Sequence, residues 1–137
     1  MIDGKKDFFP EEPYPFQKHL GFRHTQWRED HAVFELDLET FHGNRYGIPH
    51  GGLYGVLLDT AMGYAGSFTG DPDQRVLAMT LSMTVNFLAQ PSGRHLITEG
   101  RRTGGGRSTF FAEGEVRDEN NVIVARGSGA FRYRKAT

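Results

Sequence analysis

Residues 50–68, HGGLYGVLLDTAMGYAGSF, form the only long stretch whose apolar residues recur at helical spacing, and it lies among segments that alternate with period two. Leu53, Val56, Leu57, Thr60, Ala61 and Tyr64 fall at i, i+3, i+4, i+7, i+8 and i+11, which is one face of a helix. Residues 32–38 (AVFELDL) alternate as a strand. So do residues 77–88, where Leu77, Met79, Leu81, Met83, Val85 and Phe87 interleave with Ala78, Thr80, Ser82, Thr84, Asn86 and Leu88. The large apolar face of that strand is expected on a conventional core, and the small polar face against a partner, a helix or a ligand. Further strands are predicted near residues 95–103, 108–117 and 122–133, the last two joined by the turn Asp118-Glu119-Asn120-Asn121. One long helix packed on an antiparallel sheet, an α+β architecture, is the economical solution.

A chain of 137 residues predicts a single domain, residues 1–137, with one modest core. Three prolines in FFPEEPYPF, residues 8–16, mark residues 1–20 as an extension lying over the body, with a short helix near residues 16–20. The absence of cysteine excludes disulfides, thiolate metal sites and a thiol nucleophile, and suits a reducing cytoplasm. A net charge of -1 argues against a nucleic-acid partner. The N-terminus lacks the apolar run of a signal peptide. Residues 76–93 carry no charge, but Thr80, Ser82, Thr84, Asn86, Gln90 and Pro91 rule out a membrane span.

Beyond His50, the predicted helix has one charged residue, Asp59. Residues placed at about 100° intervals put it opposite the apolar stripe, beside Gly52, Gly55, Gly63 and Gly66. Glycine inside a helix costs about 1 kcal/mol relative to alanine, so this bare face implies close approach of another backbone or a ligand. A glycine-rich helix packed on a neighbour, with Asp59 held by a polar partner, is the plainer alternative. At the helix start, Pro49-His50-Gly51-Gly52 presents unobstructed N–H groups at the positive end of the dipole, an arrangement suited to an oxyanion or simply to a tight turn. At about 1.5 Å per residue, Gly51 and Asp59 stand roughly 12 Å apart along the axis. If both serve one site, Gly51 of one subunit meets Asp59 of another, which predicts a two-fold dimer with two composite sites.

The string NRYGIPHGGLYGVLLDTAMG, with Asn44, His50-Gly51-Gly52 and Asp59 at this spacing, resembles the hotdog-fold acyl-CoA thioesterases of the phenylacetate-degradation (PaaI) type. VLAMTLSMTVNFLAQP, GRRTGGGRSTFFAEGEV and NNVIVARGSGAFRY follow in the order that family shows. The resemblance implies a hotdog fold, one long central helix wrapped by a curved antiparallel sheet of about five to six strands. It implies homodimers joined edge to edge, often paired further into homotetramers, and hydrolysis of acyl-CoA or aryl-acyl-CoA thioesters with no metal and no organic cofactor. By motif position, the Gly51 N–H polarises the carbonyl and the partner chain's Asp59 acts as nucleophile or general base. Asn44 helps to place water, His50 holds the local geometry and Gly52 contributes to substrate binding. Thr80 is the candidate for the small polar assistant on the following strand, with Ser82 and Thr84, expected on the same face, as its alternatives. A non-catalytic acyl-CoA binding module on the same fold is the alternative, although such a module has no need of Asp59.

Gly105, Gly106 and Arg107, with Arg101 and Arg102 nearby, are candidates for the coenzyme A phosphates, because a glycine turn exposes amides and arginine forks onto phosphate. A solvated hairpin turn is the other reading. The HFPG and DxNPxH motifs of related hydratases are absent, and Gly127-Ser128-Gly129 is not a nucleophile elbow. Six histidines without metal spacing, His19, His24, His31, His42, His50 and His95, are expected mostly on the surface or in loops. Phe8, Phe9, Tyr14, Phe16, Tyr54 and Tyr64 are candidates for an acyl pocket or for the core.

Overall fold

The computed structural model describes residues 11–134. Its elements are α1 (Pro15–Leu20), β1 (Arg23–Arg28), β2 (His31–Asp37), a 3-10 turn (Thr40–His42), α2 (Gly51–Ala65), β3 (Leu77–Phe87), β4 (His95–Gly105), β5 (Thr109–Asp118) and β6 (Ile123–Arg134). All six strands join one antiparallel sheet in the order β1-β2-β4-β5-β6-β3. The sheet curls around α2, which packs against every strand. β1 has no counterpart among the strands read from sequence, because RHTQWR contains one large apolar residue, Trp27. Phe8 and Phe9 lie outside the described residues.

α2 buries Leu53, Tyr54, Leu57, Leu58, Ala61, Met62 and Ala65. The buried arc is therefore wider than the expected stripe and rotated from it, with Val56, Thr60 and Tyr64 on its half-buried flank. A sheet that wraps the helix leaves only a narrow open strip, which carries Gly52, Gly55, Asp59 and Gly63. Gly66 departs from that strip. It is the C-cap, and a side chain there would overlap the Phe110 ring.

The helix lies close to the sheet because the floor beneath it is glycine. Gly100, Gly114 and Gly127 stand side by side on β4, β5 and β6. A Cβ on Gly100 would overlap the Ala61 carbonyl and stand 2.8 Å from the Met62 nitrogen, so the helix backbone occupies the space of a side chain. Much of the glycine excess thus serves helix-to-sheet packing.

β3 corrects a second expectation. Leu77, Met79, Leu81, Met83 and Phe87 are 37–61% exposed, so the large apolar residues of β3 do not form a conventional core. β3 is an edge strand, paired only with β6, and a bulge interrupts it between Thr80 and Ser82. Thr80 lies opposite Phe131 and Met83 opposite Gly129, two residues apart on β6 and hence on one face. Ala78 and Thr80 face α2 before the bulge, and Met83, Val85 and Phe87 face it afterwards. Ser82 and Thr84, opposite Ala130 and Ser128, are turned to the other face from Thr80.

Two buried polar groups brace the loops around the helix. His42 is buried, with Nδ1 accepting from the Glu39 N–H at 2.9 Å and Nε2 2.7 Å from the Leu20 carbonyl. Of the other histidines, His19 and His50 are exposed as expected, and His24, His31 and His95 are half-buried on strands. The Asp118 carboxylate accepts from the Ser92, Gly93, Asn120 and Val122 N–H groups and from the Ser92 hydroxyl. Burial opposes its ionisation, but the bonds from Val122, Gly93 and Ser92 outweigh burial and bring its pKa down to about 2.

Candidate active site

Asp59 lies near the middle of α2 on the open strip, flanked one turn to either side by Gly55 and Gly63. The Thr80 hydroxyl donates to Asp59 Oδ1 at 2.5 Å. This bond satisfies one carboxylate oxygen and ties the helix carboxylate to the neighbouring strand. The β3 bulge is what gives Thr80 that position while turning Ser82 and Thr84 away.

A cavity of about 260 Å³ opens beside this pair and runs along α2 toward its C-terminal end. Thr60, Gly63 and Tyr64 supply the helix side, and Tyr14 and Trp27 supply aromatic wall. Burial raises the pKa of Tyr14; a hydrogen bond with Thr60 opposes that rise, while the Asp59 and Glu11 charges add to it, so the phenol stays protonated beside the carboxylate. Of the expected pocket aromatics, Tyr14 and Tyr64 line the cavity, Tyr54 belongs to the core and Phe16 is exposed. Trp27, Glu11 and Arg75 also line it without having been singled out from sequence. Trp27 sits on the strand that the alternation does not reveal, and nothing in the spacing of Glu11 and Arg75 connects them.

The start of α2 forms a second cluster, about 12 Å along the axis from Asp59. His50 is the N-cap, and its Nδ1 accepts from the Gly52 N–H at 2.8 Å. The Gly52 amide, expected to serve substrate, is therefore committed to the cap. Gly51, the first helical residue, has no intrahelical acceptor for its own N–H. The Phe87 ring covers it, 3.2 Å from where a Cβ would stand. Asn44 shapes the preceding loop: its Oδ1 accepts from the Tyr46 N–H at 2.8 Å, its N–H donates to the Ile48 carbonyl at 2.8 Å, and its carbonyl accepts from Gly47 at 3.0 Å. Asp59 and Thr80 thus meet within one chain, while Gly51, Gly52, His50 and Asn44 assemble separately.

Gly105, Gly106 and Arg107 are exposed at the tip of the β4–β5 hairpin, and none of them lines the cavity beside Asp59. The Gly106 N–H closes the hairpin onto the Thr109 carbonyl at 2.8 Å. Arg101 is held by Glu99 and Glu113, and Arg102 lies over the Phe110 ring. Among the described residues, no group of three or more histidine, aspartate or glutamate side chains is placed to hold a metal, and no helix is long and apolar enough to cross a membrane.

The family model of the thioesterase superfamily matches residues 46–125, more than half of the chain and the part that contains Asp59, Thr80, His50, Gly51 and Gly52, with Asn44 just before it. The chain belongs to the thioesterase superfamily. No protein with a curated description matches it. Among solved structures, this superfamily member is similar to a conserved protein of Pseudomonas aeruginosa, 26% identical at a TM-score of 0.80 over 88% of this chain and 94% of that one. It is similar to the PaaI protein of the E. coli phenylacetic acid degradation operon, 24% identical at a TM-score of 0.78 over 89% and 86% of the two chains. A Streptococcus mutans protein solved with acetyl-CoA bound is 23% identical, with a TM-score of 0.72 over 82% and 88%. The six-stranded sheet around one long helix is the hotdog fold that the sequence resemblance implies.

Proposed function

We propose that this protein hydrolyses acyl-CoA or aryl-acyl-CoA thioesters at composite sites formed between two copies of the chain. The observation that carries this reading is the Asp59–Thr80 pair at the mouth of a cavity lying along a half-open helix. Superfamily membership and the acetyl-CoA bound to the Streptococcus mutans neighbour support a thioester of CoA as substrate. The same proposal places the protein in the cytoplasm, which a chain without cysteine suits.

Hydrolysis passes through a tetrahedral oxyanion and needs a donor for that oxygen and a group to attack or to activate water. The Gly51 N–H of one subunit is the donor, with the positive end of the α2 dipole behind it. Asp59 of the other subunit, oriented by Thr80, takes a proton from water or attacks the carbonyl carbon itself, and the thiolate of CoA leaves. His50 ties back the competing Gly52 amide, and Asn44 shapes the loop that delivers the helix start. The exposed apolar edge strand β3 supplies the surface across which two chains join, and pairing of such dimers gives a homotetramer.

Free-thiol release from a panel of acyl-CoAs tests the reading. Replacing Asp59 by Asn should lower kcat by about 10²- to 10⁴-fold, the range for loss of a general base. Equal rates for the two proteins would remove Asp59 from the mechanism. Single turnover in ¹⁸O-water tests the covalent route, because label in the Asp59 carboxylate requires an acyl-enzyme anhydride opened by water at the Asp59 carbon, which a general base never forms.

A further inference from the structure

The cavity that begins at Asp59 ends at an ion pair, and a second cavity of about 150 Å³ lies beyond it. Glu11, Trp27 and Arg75 line both. Arg75 Nε donates to Glu11 Oε2 at 3.2 Å and its terminal nitrogen to Oε1 at 3.4 Å, while the Tyr64 hydroxyl donates to the same Oε1 at 3.1 Å. Three chain segments thus meet in one partition: the residues before α1, the end of α2 and the approach to β3. Beyond the partition, the second cavity is bounded by Phe68, Pro72 and other residues of the loop between α2 and β3.

We infer that the Glu11–Arg75 pair, anchored by Tyr64 and backed by Trp27, sets the length of acyl group this enzyme accepts. The inference rests on the thioester-hydrolase reading of the Asp59 site. A cavity of about 150 Å³ is enough to hold benzene, so the 260 Å³ beside Asp59 accommodates an aryl ring or a short acyl chain with its tether. An aliphatic chain that reaches further must press its terminal methylenes against a carboxylate and a guanidinium and strip water from both, which is unfavourable. Arg75 is exposed and Glu11 half-buried, so the ion pair is weak as a mechanical barrier. It discriminates because charged groups reject apolar atoms. With the pair removed, the two cavities join, and the added space of about 150 Å³ matches that of a cavity able to hold benzene.

The test is the chain-length profile of kcat/KM over straight acyl-CoAs from C4 to C14, with phenylacetyl-CoA included, for wild type, Arg75→Ala, Glu11→Ala and the double variant. Wild type should reach a maximum and then fall. In the variants the maximum should move to longer chains, with a gain of about fourfold for each added methylene that becomes buried, carried mainly by KM. Glu11→Gln, which keeps the size of the side chain and its bond to Tyr64, should shift the maximum less than Glu11→Ala. A profile of unchanged shape in folded variants that still depend on Asp59 would overturn the partition and leave the hydrolase reading intact. If no acyl-CoA is hydrolysed, the hydrolase reading fails instead. The partition is then read from the fluorescence of Trp27, the only tryptophan. Dodecanoyl-CoA should perturb it at lower concentration in Arg75→Ala than in wild type, and identical titrations would overturn the inference.

Discussion

The two ends of the sheet are finished in opposite ways. Around β2 and β4, the face turned away from α2 carries charges that are matched to one another. His95 sits between Asp37 and Glu35 at 2.7 Å from each, Arg23 reaches Asp37 at 3.3 Å, and Glu99 takes both His31 at 2.6 Å and Arg101 at 2.8 Å. At the far edge, β3 has no charged side chain and exposes five large apolar ones, next to the half-open strip of α2 that carries Asp59. A surface with its charges paired is complete in water. An apolar edge strand leaves surface that another chain can cover, and the proposed dimer uses it in that way.

The largest effect that would break this contrast comes from the helix start. Gly51→Pro removes the amide proton while keeping a residue that is favoured at the first helical position. His50 already has the extended backbone, φ -65° and ψ 135°, that a following proline requires. Loss of this oxyanion donor should cost about 10²- to 10³-fold in kcat. Gly51→Ala keeps the N–H and adds the same Cβ against Phe87, so it should lose much less. Steady-state kinetics on the pair separates the donor from the crowding. Next comes the edge itself. Leu81→Lys places a charge on β3, and sedimentation should show the assembly falling to monomers, with activity lost in proportion.

A smaller effect is expected within the chain. Thr80→Val removes the bond to the Asp59 carboxylate. A hydrogen bond to a charged group is worth about 1.5–3 kcal/mol, so kcat should fall about 10- to 100-fold, while KM stays near its wild-type value. An equal loss in Ser82→Ala would contradict the face assignment made by the bulge. The smallest effect is expected on the charged face. The bonds from Glu35 and Asp37 raise the pKa of His95 above its ordinary 6.5. Their stabilising contribution is therefore fully present below that value and is lost as pH rises through the raised one. Thermal melts should show His95→Gln slightly less stable than wild type at pH 6 and nearly equal to it at pH 9, with no change in assembly.

The two regions were not equally legible in the sequence. Alternation located β2, β4, β5 and β6 to within a few residues, and helical spacing located α2, because both signals depend only on which residues neighbour one another along the chain. The sequence reading also singled out Asp59, as the lone charge on a bare helix face, and proposed Thr80 for the following strand, the residue that the structure sets against it. The facing of β3 was not legible. One inserted residue at the bulge exchanges the two faces beyond it, and no residue in the uncharged run 77–88 advertises that insertion. Nor does the glycine count reveal that Gly100, Gly114 and Gly127 line up beneath α2, since strand register brings them together over long sequence separations. The contact of Glu11 with Arg75 spans 64 residues and is invisible to any local pattern.

The central claim, that one chain's Gly51 works with the other's Asp59, is tested most directly by mixing two inactive proteins. Gly51→Pro and Asp59→Asn chains, unfolded and refolded together in equal amounts, should form heterodimers in half of the molecules, each with one intact composite site. Activity should return to about a quarter of wild type. If mass spectrometry confirms the heterodimers and activity stays at the sum of the two single variants, the composite site is wrong.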